Sequence, residues 1–275
     1  MRKVILVHGL WHGSWCWSLV TEQLAARGVA SVAVDLDGHG LRSRRPDAWW
    51  ARPFDPASYA TEPSGVADVT ATSAAKTLTK QIETISGGEP CVVVAHSMGG
   101  IVATAAAEQL PSLFAHLIYV SAFAPVCGLP ALAYLTEPEN EGELVTRLFR
   151  ADLAATGAAR IDPGESGAHA AIRETFYGDV DEATATAAIS LLSPDGPLGL
   201  AAEALAVTSD RYGAIPHTYV ACTKDNTLPY ALQRRFVREI DAVSSRPADL
   251  VELESSHSPF LSQPAALATI IADKC

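Results

Sequence analysis

The chain has 275 residues, 48% of them hydrophobic and 19% charged, enough to bury a full core in one large α/β domain with an insertion, without a second independent domain. Lys and Arg number 20 against 31 Asp and Glu, a formal net charge of -11, so a phosphate backbone or an anionic membrane surface is repelled on average, which argues against a nucleic-acid partner. Five scattered cysteines (Cys16, Cys91, Cys127, Cys222, Cys275) lack CxxC spacing, which points to reduced thiols and away from a zinc cluster.

From the amino terminus, Met1 to Gly9 has a charged start and an apolar run too short for a signal peptide, and reads as a first strand. No uninterrupted apolar stretch reaches the roughly 18 residues of a membrane span, so the expected location is the cytoplasm. Apolar runs at 3–7, 30–36, 91–95, 115–121, 217–222 and 249–253 alternate with amphipathic or alanine-rich stretches at 15–27, 66–85, 99–109, 230–240 and 264–272. That alternation is the mark of βαβ units and a mainly parallel sheet, whose ligands gather at the carboxyl ends of the strands. Two segments depart from it. Residues 41–64, rich in Pro and aromatic residues, read as a long ordered loop whose rings serve packing. Residues 125–215 lack β patterning and read as an inserted helical cap, with helices over 143–155 and 182–192, between core segments 1–124 and 216–275.

The chemistry centres on Val92-Val93-Val94-Ala95-His96-Ser97-Met98-Gly99-Gly100-Ile101. A serine between small residues, where an apolar strand runs into an apolar helix, suits a nucleophile elbow, although alone it also suits an ordinary tight turn. Ala95 stands where the usual Gly-x-Ser-x-Gly pattern has its first glycine, a difference of one methyl group. The base must follow the serine and the acid in chain order. Only His257, in the loop after the last apolar run, has that placement. For the acid, Asp225 follows the run 217–222; Asp249 opens its strand, Glu252 lies within one and Asp241 ends a helix. Asp225 could instead cap the helix entered near Pro229. The loop His8-Gly9-Leu10-Trp11-His12-Gly13 follows the first strand, and the backbone N–H groups of Leu10 and Met98 are candidates for an oxyanion hole. Gly9, Trp11, His12, Phe123 and Tyr134 are candidate substrate contacts.

Together, Ser97, Asp225, His257, the His8-Gly9 loop and the segment Asp35-Leu36-Asp37-Gly38-His39-Gly40 resemble the α/β-hydrolase superfamily over nearly the whole chain. More narrowly, Val7-His8-Gly9-Leu10-Trp11-His12-Gly13-Ser14-Trp15-Cys16-Trp17 is similar to the start of the plant methylesterase and hydroxynitrile lyase group. The resemblance is weak in the cap, and the 41–64 loop is longer than that group leads one to expect. It implies an α/β-hydrolase fold with an inserted helical cap, and a serine carboxylesterase without metal or cofactor, acting on a small hydrophobic or aromatic ester. The alternatives are a C–C lyase on the same triad, an acyltransferase, or a ligand-binding sensor that retains the triad. Lyases of the group carry threonine at the position of Gly9 and lysine at that of Ser258, and both departures favour hydrolysis.

Overall fold

The computed structural model describes residues 2–275. Among the described residues ten strands form: β1 (Val4–Val7), β2 (Ser31–Val34), β3 (Cys91–His96), β4 (Phe114–Val120), β5 (Cys127–Pro130), β6 (Ala158–Arg160), β7 (Asp195–Pro197), β8 (Ala204–Ala206), β9 (His217–Cys222) and β10 (Asp249–Leu253). Six of them make one sheet in the order β10-β9-β4-β3-β1-β2, every pairing parallel. These are the six runs expected from the sequence, each shifted by no more than two residues at an end.

The strands read as continuous apolar runs because both faces of the sheet are covered. On one face Ile5, Val7, Val93 and Tyr119 pack with Leu78 and Ile82 of helix Ala71–Ser86, Ile101 and Val102 of helix Gly99–Gln109, and Phe236 of helix Tyr230–Val243. On the other, Val4, Leu6, Val92, Val94 and Val120 pack with Val20 and Leu24 of helix Ser18–Ala26 and Leu267 and Ile271 of helix Pro264–Ala272. Strand order reverses between β1 and β3, which opens a crevice at their carboxyl ends. No helix among the described residues is long and apolar enough to cross a membrane.

Helix starts follow capping chemistry. The stretch expected to be helical from residue 66 becomes so only at Ala71, because Thr70 and Ser73 exchange side-chain and backbone hydrogen bonds in a capping box. The stretch from residue 15 opens with a 3-10 turn, Ser14–Trp17, before its α-helix.

Segment 125–215 differs from expectation. It holds helices His169–Phe176 and Glu182–Leu191, but also two small antiparallel pairs, β5 with β8 and β6 with β7. Strands of three or four residues are too short to leave a periodic signal. The helix expected over 143–155 is absent. The Glu143 carboxylate takes the N–H groups of Val145 and Thr146 into a short turn, and the Arg150 N–H donates across to the Arg160 carbonyl. Besides a 3-10 turn at Thr146–Leu148, only Leu153–Thr156 is α-helical among the described residues there, capped by Asp152. The 41–64 stretch likewise carries two short helices, Asp47–Trp50 and Pro56–Thr61.

One buried ion pair ties that stretch to β6 and β7. The Arg160 guanidinium, fully buried, grips Asp195 through Nε (2.7 Å) and Nη2 (2.8 Å), while its Nη1 donates to the carbonyls of Tyr59 and Glu62 and its plane lies over the Tyr59 ring. Ser64 donates to the same Asp195. Removing one partner of such a pair strands the other charge in the interior. Arg160→Met is therefore expected to cost about 3–5 kcal/mol, read as a lower urea midpoint at unchanged m-value; a loss under about 1 kcal/mol would mean that the pair is not a structural tie.

Candidate active site

Three non-glycine residues among those described have left-handed backbone: Trp11 (φ 62), Ser97 (φ 52) and Ser121 (φ 39). They stand just beyond β1, β3 and β4, on the crevice edge of the sheet. Such strain persists only where surrounding structure over-determines it. At Ser97 the cause is visible. The Ser97 carbonyl accepts from the N–H groups of Gly100 and Phe123 (both 3.0 Å), and the following helix is pressed against its neighbours. A Cβ on Gly99 would sit 2.2 Å from the His8 carbonyl oxygen, and one on Gly100 2.3 Å from that of Phe123. Both positions must be glycine for this turn to close.

Asp225 and His257 meet in the loops that follow β9 and β10, on the same edge of the sheet as Ser97. The Asp225 Oδ2 accepts from His257 Nδ1 at 2.7 Å and from the Ser121 hydroxyl, while Oδ1 takes the N–H groups of Thr227 (2.6 Å) and Leu228 (2.9 Å). Asp225 does not cap the helix Tyr230–Val243, whose start has no side-chain cap; one of its oxygens holds its own loop and the other meets the histidine. A carboxylate can only accept, so Nδ1 carries the proton and Nε2 is left as the basic nitrogen. The His257 side chain is buried. Among the described residues it is not hydrogen-bonded to Ser97 Oγ; in free enzymes this contact is often long and tightens around substrate. Asp249 lies on the far edge of the sheet, paired with Lys274.

The loop after β1 comes up against the serine from the other side. A Cβ on Gly9 would lie 2.6 Å from Ser97 Cβ and 3.1 Å from its Oγ, so a threonine at this position has no room without displacing the serine. Neither Leu10 nor Met98 donates its backbone N–H to a protein acceptor among the described residues, and both side chains line a cavity of about 70 Å³ that opens at Ser97. Trp11 and Phe123 line it as well, with Leu132, Val145 and Phe149. Its polar wall groups are already engaged: the Thr227 hydroxyl donates to the Thr175 carbonyl, and Glu143 holds its own turn. No lysine or arginine reaches it.

Three expected contacts lie elsewhere. Gly9 is underneath Ser97. His12 is framework: its Nδ1 donates to the Leu10 carbonyl and its Nε2 accepts from the Tyr177 hydroxyl, both at 2.8 Å. Tyr134 packs on Phe236 and donates to Glu239. Ser258, the position of the lyase lysine, is buried with its hydroxyl unpaired. Sequence reasoning missed Ser121; its only signal was a polar residue ending an apolar run.

A model described as the alpha/beta hydrolase family matches residues 4–270. The chain belongs to the α/β-hydrolase family. Methylesterase 7 of Arabidopsis thaliana is 27% identical over 281 residues, covering 99% of this chain and 97% of that protein. Methyl jasmonate esterase 1 of Vitis vinifera is 26% identical over 289 residues, covering 99% and 96%. Among solved structures, a pyrethroid hydrolase from Sphingobium faniae superposes with a TM-score of 0.77 at 23% identity, over 99% of this chain and 96% of that one, a likeness of fold.

Around this α/β-hydrolase's site the buried histidines are held neutral. Burial, more than any neighbouring charge, lowers His8 and His12 to about 3 and His39 to about 4 from the ordinary 6.5. The unfolded chain binds these protons below pH 6.5 and the fold does not, so their contribution is intact above pH 6.5 and is lost as pH falls toward 4 and 3. Each costs about 1.4 kcal/mol per pH unit once well below 6.5. The midpoint of thermal unfolding should therefore drop steeply between pH 6.5 and 4.5; a flat profile there would show that these rings are protonated in the folded protein.

Proposed function

We propose that this protein is a cofactor-independent serine carboxylesterase acting on small, uncharged esters with an apolar acyl or aryl group. The observation that carries the reading is the 2.7 Å bond from His257 Nδ1 to Asp225, which leaves the opposite nitrogen basic, on the sheet edge where Ser97 is held on a strained turn. Ser97 Oγ attacks the ester carbonyl carbon as its proton passes to His257 Nε2. The oxyanion is stabilised by the N–H groups of Leu10 and Met98, free of protein acceptors. Collapse breaks the bond to the alcohol, which leaves with the proton from His257. Water, deprotonated by the same nitrogen, then attacks the acyl-enzyme and releases the acid. The names of the methylesterase relatives support ester cleavage, and the apolar, cation-free cavity supports an uncharged substrate. Segment 125–215 serves as the cap that walls this cavity.

Ser97→Ala is expected to fold normally and to lower hydrolysis of methyl, p-nitrophenyl and aromatic esters at least about 10⁴-fold, with labelling by a fluorophosphonate abolished in parallel. Cyanide release from mandelonitrile should be negligible beside ester cleavage, since no cation adjoins His257 to hold the leaving anion. Full ester turnover by the folded Ser97→Ala protein, or wild-type cyanide release rivalling the best ester, would reject the reading.

The acid is tested by Asp225→Asn. The amide oxygen can keep the Thr227 and Leu228 bonds only by turning its NH₂ toward His257, which forces the proton onto Nε2 and leaves nothing to receive the proton of Ser97. A comparable exchange in a serine protease costs about 10⁴-fold, and a similar loss with little change in stability is expected here. Asp249→Asn, across the sheet, should leave the rate alone. The reverse pattern would mean that the acid lies elsewhere.

A further inference from the structure

His96 precedes the serine and belongs to none of the catalytic steps above. It is the last residue of β3 and is fully buried. Its ring stands edge-on to Phe260 (centroids 4.8 Å apart) and Trp17 (6.5 Å) and lies 4.5 Å from the ring of His257. The Nε2 is 2.8 Å from the main-chain oxygen of His257. A carbonyl can only accept, so Nε2 carries the hydrogen. Nδ1 is then a bare lone pair, buried without a partner, on the side where a Cβ on Gly9 would come within 3.1 Å.

We propose that His96 is a positioning residue for His257, fixing the main chain of the catalytic base through the bond from its Nε2–H to the His257 carbonyl; this rests on the esterase reading above. The loop between β10 and the short helix Pro259–Ser262 has no regular structure of its own. Within it His257 is held at two points, its side chain by Asp225 and its main chain by His96. One point alone would leave the imidazole free to pivot about the Asp225 bond. Two points set the direction of Nε2, and a misplacement of about 1 Å at a reacting group can cost about 10²-fold in rate. Burial also holds the His96 ring uncharged, with the proximity of His257 acting the same way. A charged ring 4.5 Å from His257 would oppose the imidazolium that forms during turnover; a neutral donor fixes the loop without that penalty.

The test separates positioning from simple core filling. His96→Phe keeps an aromatic ring against Trp17 and Phe260 and removes the donor; His96→Leu takes its place if the phenylalanine variant does not fold. His96→Gln restores an N–H near the position of Nε2. With rates normalised to the folded fraction from near-UV circular dichroism, the donorless variant should lose about 10- to 100-fold in kcat with KM changed less than about twofold, and the glutamine variant should recover most of that loss. His217→Leu, which removes another buried histidine at the opposite edge of the sheet, should destabilise the protein and leave kcat per folded molecule unchanged. A donorless variant with wild-type kcat, a glutamine variant as impaired as the donorless one, or an equal kcat loss in His217→Leu would each overturn the proposal. Run in the same assay, an inactive Ser97→Ala beside an unimpaired donorless variant overturns this inference alone, whereas an active Ser97→Ala overturns the esterase reading and this with it.

Discussion

Everything at the site follows from the close approach of three chain segments around Ser97. The helix after the serine can begin only if its first turn lies almost in contact with the carbonyls of His8 and Phe123, 2.2 and 2.3 Å from where side chains on Gly99 and Gly100 would start. With those glycines in place the turn at Ser97 is forced into the left-handed region, where a non-glycine residue is costly and persists because neighbours leave no alternative. Ala95 sits inside β3, paired with Val7 and wholly buried. The same crowding brings the loop after β1 under the serine, which makes Gly9 as constrained as the elbow glycines and leaves the Leu10 N–H without a protein partner.

The parts of the molecule legible in the sequence are those whose signal is continuous along the chain. Strands β1, β3, β4 and β9 are largely buried, so each leaves a mainly apolar run. The meeting of Asp225 and His257 was readable because each follows a strand at the same edge of the sheet, Asp225 after β9 and His257 after the more exposed β10. Residues whose importance comes from contacts distant in sequence were not readable. Ser121 reaches Asp225 across 104 positions, and Arg160 binds Asp195, Tyr59 and Glu62 from a strand of three residues. His12 failed in the opposite way. Its neighbourhood in the sequence suggested a substrate contact, but Tyr177, 165 positions on, occupies its free nitrogen. The helix expected over 143–155 is missing for a local reason that composition hides, since a glutamate good for helices captured the N–H groups two and three residues ahead of it.

Segment 125–215 is tied to three of the loops at the crevice edge, those after β1, β9 and β10. The Ser193 N–H donates to the Trp11 carbonyl and the Trp11 indole donates to that of Ala159, which secures the loop after β1. Tyr177 secures the same loop through His12. Asn226 accepts from the Leu144 N–H and donates to the Glu174 carbonyl, and the Thr227 hydroxyl donates to Thr175, one and two residues beyond Asp225. Ser256, next to His257, donates to Asp179. The segment is therefore more than a cover laid over finished loops. Asp225 holds its own loop with one oxygen and His257 with the other, so a shift at 144 or 175 reaches the histidine through a path of only a few hydrogen bonds. The Arg160–Asp195 pair anchors this segment and the 41–64 stretch together. Burial of that pair thus contributes to the geometry around Ser97, which neither residue touches.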